Sequence, residues 1–432
     1  MNKLSLLILI LLIVSSCSIN KKRSFWGKEE SNVKEIKNVK KIILKQDIEE
    51  KELNAELKIR FSKKKLSKNI NNNQNNVGQL FYNGSLEKIS KYNFSKFDNF
   101  ENIDVQPIFY KENVIFSDNK GTIKLYDQNQ KIIWKKNFYS KSERKLKPRL
   151  NFASYKNILI IADDVAKYYA INIENGDLIW FKNSIAPFNS EIKIKNEVFY
   201  VVDYNNTLRS ISIKDGKELW NLKTEESKIK SDTKISVTIK NENIYFNNSI
   251  GDITAVNMKS GQLTWQLPTQ SSNASKNVFS LSNSKLVIDK DSIFFSNNKN
   301  NFYSINTKTG FINWKNKINS DLKPVVIDKF IITISNTGYL YVIDKTTGNI
   351  IRINNLYKDY KNKKKKVIFT TGFFIARNKV YLTNNNGELI VVDLSTGKIL
   401  NIHKISRDRI LQPSVSNNNL FLIKNGSIIK YN

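Results

Sequence analysis

The chain holds one cysteine, Cys17, and one histidine, His403, in 432 residues. Those two counts remove most side-chain chemistry at once. A single thiol forms no intrachain disulfide, and zinc sites built from Cys and His need several of each. Nucleophilic catalysis of the Ser-His or Cys-His kind would have to run through His403 alone. His403 follows a repeated motif, in a stretch that reads as strand or loop and suits a structural or exposed role. Acidic side chains are sparse and sit mostly at turns, Asp127, Asp344 and Asp393 among them. A hard cation such as Ca²⁺ wants converging carboxylates, whereas Asp or Asn recurring before a turn is accounted for by turn chemistry. The expectation is no catalytic residue, no cofactor and no metal, and a protein that is not an enzyme.

Cys17 has a chemistry of its own, acylation. The chain begins MNKLSLLILILLIVSSCS, with Lys3 as a short basic region and an apolar stretch from Leu4 to Val14 broken only by Ser5. A transmembrane helix needs about 20 apolar residues, so this stretch is too short to span and fits a secretory signal. Val14-Ser15-Ser16-Cys17 resembles the lipobox of bacterial lipoproteins. That resemblance implies that residues 1–16 are removed as a lipoprotein signal peptide and that Cys17 is lipidated and becomes the mature N-terminus. A chain with no other thiol suits an oxidising compartment. Ser18 is not the Asp that retains some lipoproteins in the inner membrane, so the expected location is the outer membrane, lipid-anchored and facing the periplasm.

Residues 17–77 read as a lipid-anchored linker, with mixed charge, Lys63 to Lys65 in a row and the Asn-rich stretch NINNNQNN at 69–76. Val33, Ile36, Val39 and Ile43 have near-helical spacing, so part of it reads either as an amphipathic helix or as disordered chain. Lys and Arg total 70 against 39 Asp and Glu, a formal charge of +31. Such an excess invites a negatively charged partner such as nucleic acid, lipid headgroups or an acidic protein. It also has a compositional reading, because Lys, Asn and Ile are over-used along the whole chain. The densest run, Lys363 to Lys366, falls in an expected loop.

The elements that position everything else come from a repeat. GDITAVNMKSGQLTW at 251–265 recurs as GTIKLYDQNQKIIW (121–134), AKYYAINIENGDLIW (166–180), NTLRSISIKDGKELW (206–220), NFYSINTKTGFINW (301–314), GYLYVIDKTTGNIIR (338–352) and GELIVVDLSTGKILN (387–401). Each phrase is an alternating strand, a polar turn closing on Gly, and a second strand. The turn Gly supplies the positive φ of a tight hairpin. Trp134, Trp180, Trp220, Trp265 and Trp314 are five of the six tryptophans and all occupy the same motif position, which marks them as structural repeat residues. Two more short strands precede each phrase, as in PVVIDKFIITISN at 324–336. Four-stranded units repeating about every 44 residues must stack on one another, and they predict a β-propeller. From Gly84 to Asn432 that period yields eight blades. The all-β fold expected is an eight-bladed propeller over 78–432. Its last blade joins three C-terminal strands to one N-terminal strand from the segment 85–94, which leaves no open sheet edge.

The phrase resembles the quinoprotein-type propeller repeat, in which Gly-x-Leu-x-Trp follows a strand ending in Asp or Asn. With the lipobox, the linker and eight blades ending soon after the last strand, the chain resembles the BamB family of lipoprotein subunits of the outer-membrane β-barrel assembly machinery. Arg352 and Asn401 depart from the motif by replacing the Trp, and Asn129-Gln130 lacks the turn Gly. The resemblance implies a non-enzymatic periplasmic scaffold. It also implies that the motif Trp residues dock between adjacent blades. The implied partners are the POTRA domains of the barrel-assembly outer-membrane protein, met through propeller loops, and outer-membrane lipid through the acylated N-terminus. No nucleic acid partner is expected, and the protein would be a monomer within a hetero-complex. BamB-like proteins carry an apolar-x-apolar-basic patch in a loop comparable to NLKTEESKIKSDTK (221–234); only Ile229 and Lys230 match it here, as candidate partner-binding residues. Two other readings stay open. One is a surface-basic propeller binding anionic lipid or glycan. The other is a quinone-dependent dehydrogenase, against which stand the missing vicinal disulfide and the absence of long insertions.

Overall fold

A computed structural model describes residues 50–62, 77–98, 100, 105–225, 233–269, 281–299 and 301–432. Cys17, the segment 33–43, Ile229 and Lys230 lie outside the described residues.

The repeat phrase forms the outer half of each blade. In the unit that holds GDITAVNMKSGQLTW, Val237–Lys240 pairs with Asn243–Asn247, that strand with Ile253–Asn257, and the third with Leu263–Leu267, all antiparallel. Seven consecutive blades follow this plan over 108–136, 150–183, 193–223, 237–267, 287–316, 325–355 and 370–404. The six turn glycines at 176, 216, 261, 310, 348 and 397 have φ between +70° and +78°. In blade one, where Gly is missing, Gln130 takes φ +63° instead. The departures at Asn129-Gln130, Arg352 and Asn401 leave blades one, six and seven with all four strands.

The eighth sheet is built from both ends of the fold. Its strand order runs Ser414–Ser416, Asn419–Lys424, Ser427–Tyr431 and, outermost, Lys88–Asn93. Tyr92 pairs with Ile428 and Asn93 with Ser427. The last strand of the chain is therefore interior to its sheet, hydrogen-bonded on both edges.

The ring has no single core. Its buried apolar side chains divide into eight clusters, each lying between two neighbouring blades, including one between blade eight and blade one that contains Tyr92, Phe421, Val114 and Phe116. A sheet buried on both faces reads as a continuous apolar run. Phe330–Ile334 is buried at every position.

Part of the stretch expected to be linker belongs to the propeller. Residues 50–62 lie on blades six and seven, neither helical nor detached, with one turn at 54–57 closed by the Leu57 N–H on the Asn54 carbonyl at 2.9 Å. Leu53 exchanges both backbone hydrogen bonds with Ile353 on the outermost strand of blade six, at 3.1 and 2.9 Å. Ile59 and Phe61 enter the cluster between blades six and seven. The Ser62 backbone N–H donates to the Asp328 carboxylate at 2.8 Å. Further on, Val77 and Leu80 bridge to Val326 and Ala376 in blades six and seven. The physical reason is apolar content: Ile59 and Phe61 stand in a segment otherwise dominated by charge, and burying them stabilises the docked chain, while Leu53 and Leu57 stay exposed.

Candidate functional site

The motif tryptophans meet the neighbouring blade. All five stand on the outermost strand of their blade; Trp134 is buried, while Trp180, Trp220, Trp265 and Trp314 are half-buried rather than fully enclosed. A register shift in the hairpin beside each one sets its strand, as between Ala255 and Val256 opposite Trp265. The indole N–H groups of Trp134, Trp180, Trp265 and Trp314 donate across the blade boundary to the carbonyls of Ile173, Ile213, Thr307 and Lys345 at 2.7–3.0 Å. Each of the five rings lies on the next turn glycine. A Cβ on Gly310 would sit 2.7 Å from Trp265 Cδ2. That glycine is required twice, for its positive φ and for the space the ring takes.

The turn acids serve their turns. Asp344 Oδ1 accepts the backbone N–H groups of Thr346 and Thr347, and Asp127 Oδ1 those of Asn129 and Lys131. Among the described residues, no three His, Cys, Asp or Glu side chains converge as a metal site would need. His403 is half-buried on the outermost strand of blade seven, and Lys364, from the densest Lys run, pairs with Glu388 at 3.0 Å.

The principal cavity lies on the ring axis. It is a funnel of about 730 Å³ whose wall takes residues from all eight blades, from Val105 in the approach to blade one to Gln412 in blade eight. Its chemistry is uneven around the circle. Lys193 opens the innermost strand of blade three, while Lys234, Lys285 and Lys323 stand just before those of blades four, five and six. Four successive blades thus each place one lysine at the same end of the ring. Between them stands Glu191, with Lys285 Nζ at 2.9 Å and Lys193 Nζ at 3.2 Å from its carboxylate. All three side chains are under one-fifth exposed.

Burial alone would raise the Glu191 pKa, but Lys193, Lys285, Lys323 and Lys234 outweigh it and hold the group well below the usual carboxylate range. Lys323 moves the other way. Burial, with Lys193 and Lys285 beside it, lowers its pKa to about 7 against the pull of Glu191. On the rest of the wall Arg149 pairs with Asp164 at 2.7 Å. Arg409 donates to the Phe100 carbonyl at 3.3 Å and lies over the Phe369 ring, and burial raises the Asp321 pKa. Sequence reasoning treated the positive charge as spread along the chain and missed this convergence. The available signal was one lysine at or just ahead of the start of the innermost strand in four consecutive repeats.

The sequence profile of the family described as outer membrane protein assembly factor BamB matches residues 119–354, more than half of the chain. Among curated proteins no sequence matches. Among solved structures, BamB from Moraxella catarrhalis superposes with a TM-score of 0.65 at 14% identity, over 80% of this chain and 99% of that one. The computationally designed Ika8 protein follows at 0.60 and 13% identity, over 79% and 99%. The quinohemoprotein alcohol dehydrogenase ADHIIG from Pseudomonas putida HK5 reaches 0.60 at 11% identity, over 81% of this chain and 76% of that one. At those identities the likeness is one of fold.

Proposed function

This chain belongs to the family of outer membrane protein assembly factor BamB, and from that premise we propose that it is a non-enzymatic periplasmic scaffold of the outer-membrane β-barrel assembly machinery. The observation that carries the reading is the family match across blades one to six. A scaffold asks for a rigid disc with variable loops, and the eight inter-blade clusters supply the rigidity. Cys17 is acylated and holds the protein on the periplasmic face of the outer membrane. Several acyl chains anchor stably where one binds marginally. A Cys17→Ala protein that still fractionates with the outer membrane overturns the anchoring.

Docking to the POTRA domains of the barrel-assembly protein runs through the connections between blades. The best candidate is 221–234, which leads from blade three to blade four and carries Ile229 and Lys230. A branched aliphatic beside a cation serves as an interface anchor, the apolar part desolvated and the charge steering. Asn283 and Lys285, in a second such connection, line the funnel. The decisive experiment purifies the native lipoprotein from solubilised membranes and identifies what accompanies it. The barrel-assembly protein should be recovered, and Ile229→Asp with Lys230→Glu should weaken its capture about tenfold without altering the melt. Its absence from the wild-type preparation would sink the scaffold reading; unimpaired capture by the double variant moves the interface to another loop.

A further inference from the structure

We infer that the funnel face of the ring rests on a bilayer surface, with Leu146, Ile185 and Val367 inserted at the headgroup boundary; this rests on the anchoring of Cys17 proposed above. Among the described residues, four bulky apolar side chains are more than three-fifths exposed: Ile185 at 91%, Phe311 at 76%, and Leu146 and Val367 at 67% each. Three of them stand on connections from the outermost strand of one blade to the innermost strand of the next. Leu146 lies between Ile132–Lys136 and Leu150–Tyr155, Ile185 between Leu178–Asn183 and Lys193–Lys195, and Val367 between Ile350–Asn355 and Thr370–Ala376. Antiparallel strands bring all such connections out on one face, the face whose connections line the funnel. The opposite face is dressed differently. Ion pairs join its turns, Lys111 with Glu174 at 3.3 Å, Lys156 with Glu197 at 3.0 Å and Lys259 with Glu242 at 2.8 Å. Residues 59–62 lie across it at blades six and seven, held by Ser395 and Asp328. Phe311, in the turn before Ile312–Asn316, is the exception there.

The placing of the tips names the occupant. Leu146 and Ile185 mark the boundaries of blades one and two and of blades two and three, while Val367 marks that of blades six and seven, across the ring. A compact domain meets one side of such a ring; a flat surface meets all three tips together. Lys145 and Lys147 flank Leu146, and Lys366 precedes Val367. Side chains of that kind lay their stems along an apolar boundary and keep the ammonium group among the headgroups. The chain also arrives on this side. The Glu50 carboxylate accepts from Tyr341 Oη at 2.8 Å and Ser335 Oγ at 3.2 Å, at the turn between the second and third strands of blade six. Leu53 then pairs with Ile353, and the Ile59 N–H donates to the Ser395 carbonyl on the opposite face at 2.9 Å. Residues 50–59 therefore run away from the funnel face, and Glu50, the end nearer Cys17 in sequence, stands on the side of the three tips. Acyl chains hold a protein near the bilayer, and apolar tips on one face fix which way it turns. The 221–234 connection also begins and ends on this face. Bilayer contact and docking through that connection exclude one another, so the contact belongs to the undocked protein.

The experiment uses the full acylated protein, in which Cys17 is consumed and an introduced cysteine is the only free thiol. Leu146→Cys, Ile185→Cys and Val367→Cys are each labelled with an environment-sensitive fluorophore, with Phe311→Cys as the control on the opposite face. Each is reconstituted on vesicles of phosphatidylethanolamine and phosphatidylglycerol without the barrel-assembly protein. The expected result is a blue shift and a loss of quenching by aqueous iodide at the three tips, and neither change at Phe311→Cys. Thermal melts confirm that each variant is folded, and the tips answer for one another if one is not. Flotation of the same vesicles reads the anchoring separately. Protein that floats with all four labels in water keeps the anchor and overturns the inference; protein that does not float refutes the anchoring and the inference with it. Tips that leave water without vesicles as the protein concentration rises would make the face an interface between copies. Tips that stay in water on vesicles and are covered only when the barrel-assembly protein is added would make it a docking face for protein. Either result overturns the bilayer contact.

Discussion

The Arg352 guanidinium donates to the carbonyl of Leu394 at 2.6 Å, across the boundary between blades six and seven. One blade earlier, Trp314 Nε1 makes the same connection to Lys345 at 3.0 Å. Arg352 stands where the repeat calls for Trp, opposite Val342 as Trp314 stands opposite Ser304. Its longer fork does more than the indole, because it also reaches the carbonyls of Ser395 and Leu57. The side chain is fully buried, and burial lowers its pKa to about 10, still charged at neutral pH. The departure from the motif thus adds a buried tie between residues 50–62 and the ring, beside the Leu53–Ile353 pairing and the Ser62–Asp328 bond.

Arg352→Ala should remove the donors from three carbonyls at once and cost about 2–4 kcal/mol. It should also loosen residues 50–62. A melt read alongside limited proteolysis checks both, with early cleavage near Leu57 expected. An unchanged proteolytic pattern would mean that the Leu53–Ile353 pairing, the Ser62–Asp328 bond and the burial of Ile59 and Phe61 suffice to hold the segment.

Trp265→Ala should cost about 2–4 kcal/mol, at the lower end for a large aromatic, since the ring is half-buried. Gly310→Ala should cost a similar amount through clash and positive φ. The two share one contact, so the double variant should be less destabilised than the sum, by about 1 kcal/mol. Strict additivity in chemical denaturation would show that ring and glycine do not act together.

Deleting residues from Ser427 onward should yield an aggregating protein. The strand lost is interior to its sheet, so its removal also releases Lys88–Asn93 and leaves two edges unpaired. Light scattering and size-exclusion chromatography read the outcome; a soluble monomer with an unchanged melt would refute the closure.

Stability should rise with pH relative to Lys323→Met between about pH 7 and 10. The native pKa of Lys323 is lowered to about 7. In that window the unfolded chain holds a proton on this lysine that the native chain has lost. Stability therefore increases with pH there, and below about pH 7 the slope from this group vanishes. Denaturant melts of both proteins across the range test it, and parallel curves would refute the lowered proton affinity.

Much of the fold was legible because it repeats. A hairpin turn that demands Gly, and a Trp beside it, are local requirements, and seven copies of the phrase, six with the Gly and five with the Trp, made the blade, its period and the split eighth sheet readable. The half-burial of Trp180, Trp220, Trp265 and Trp314 was not, since cover over a ring comes from residues distant in the chain; Trp134, at the same place in its sheet, is buried. Residues 50–62 were misread for a related reason. Ile59 and Phe61, few among many charges, gain a buried environment only in the cluster between blades six and seven.

By itself the sequence determined the type of unit, its number and the closure of the ring, because turn geometry and strand alternation act within a few tens of residues. It also limited the chemistry through one Cys and one His. Only the tertiary structure decided which charges meet. Lys193, Lys234, Lys285 and Lys323 are far apart along the chain and look like four among 70 basic residues. Closing the ring brings the starts of the innermost strands of consecutive blades around one axis, and Coulomb interactions follow distance in space, not separation in sequence.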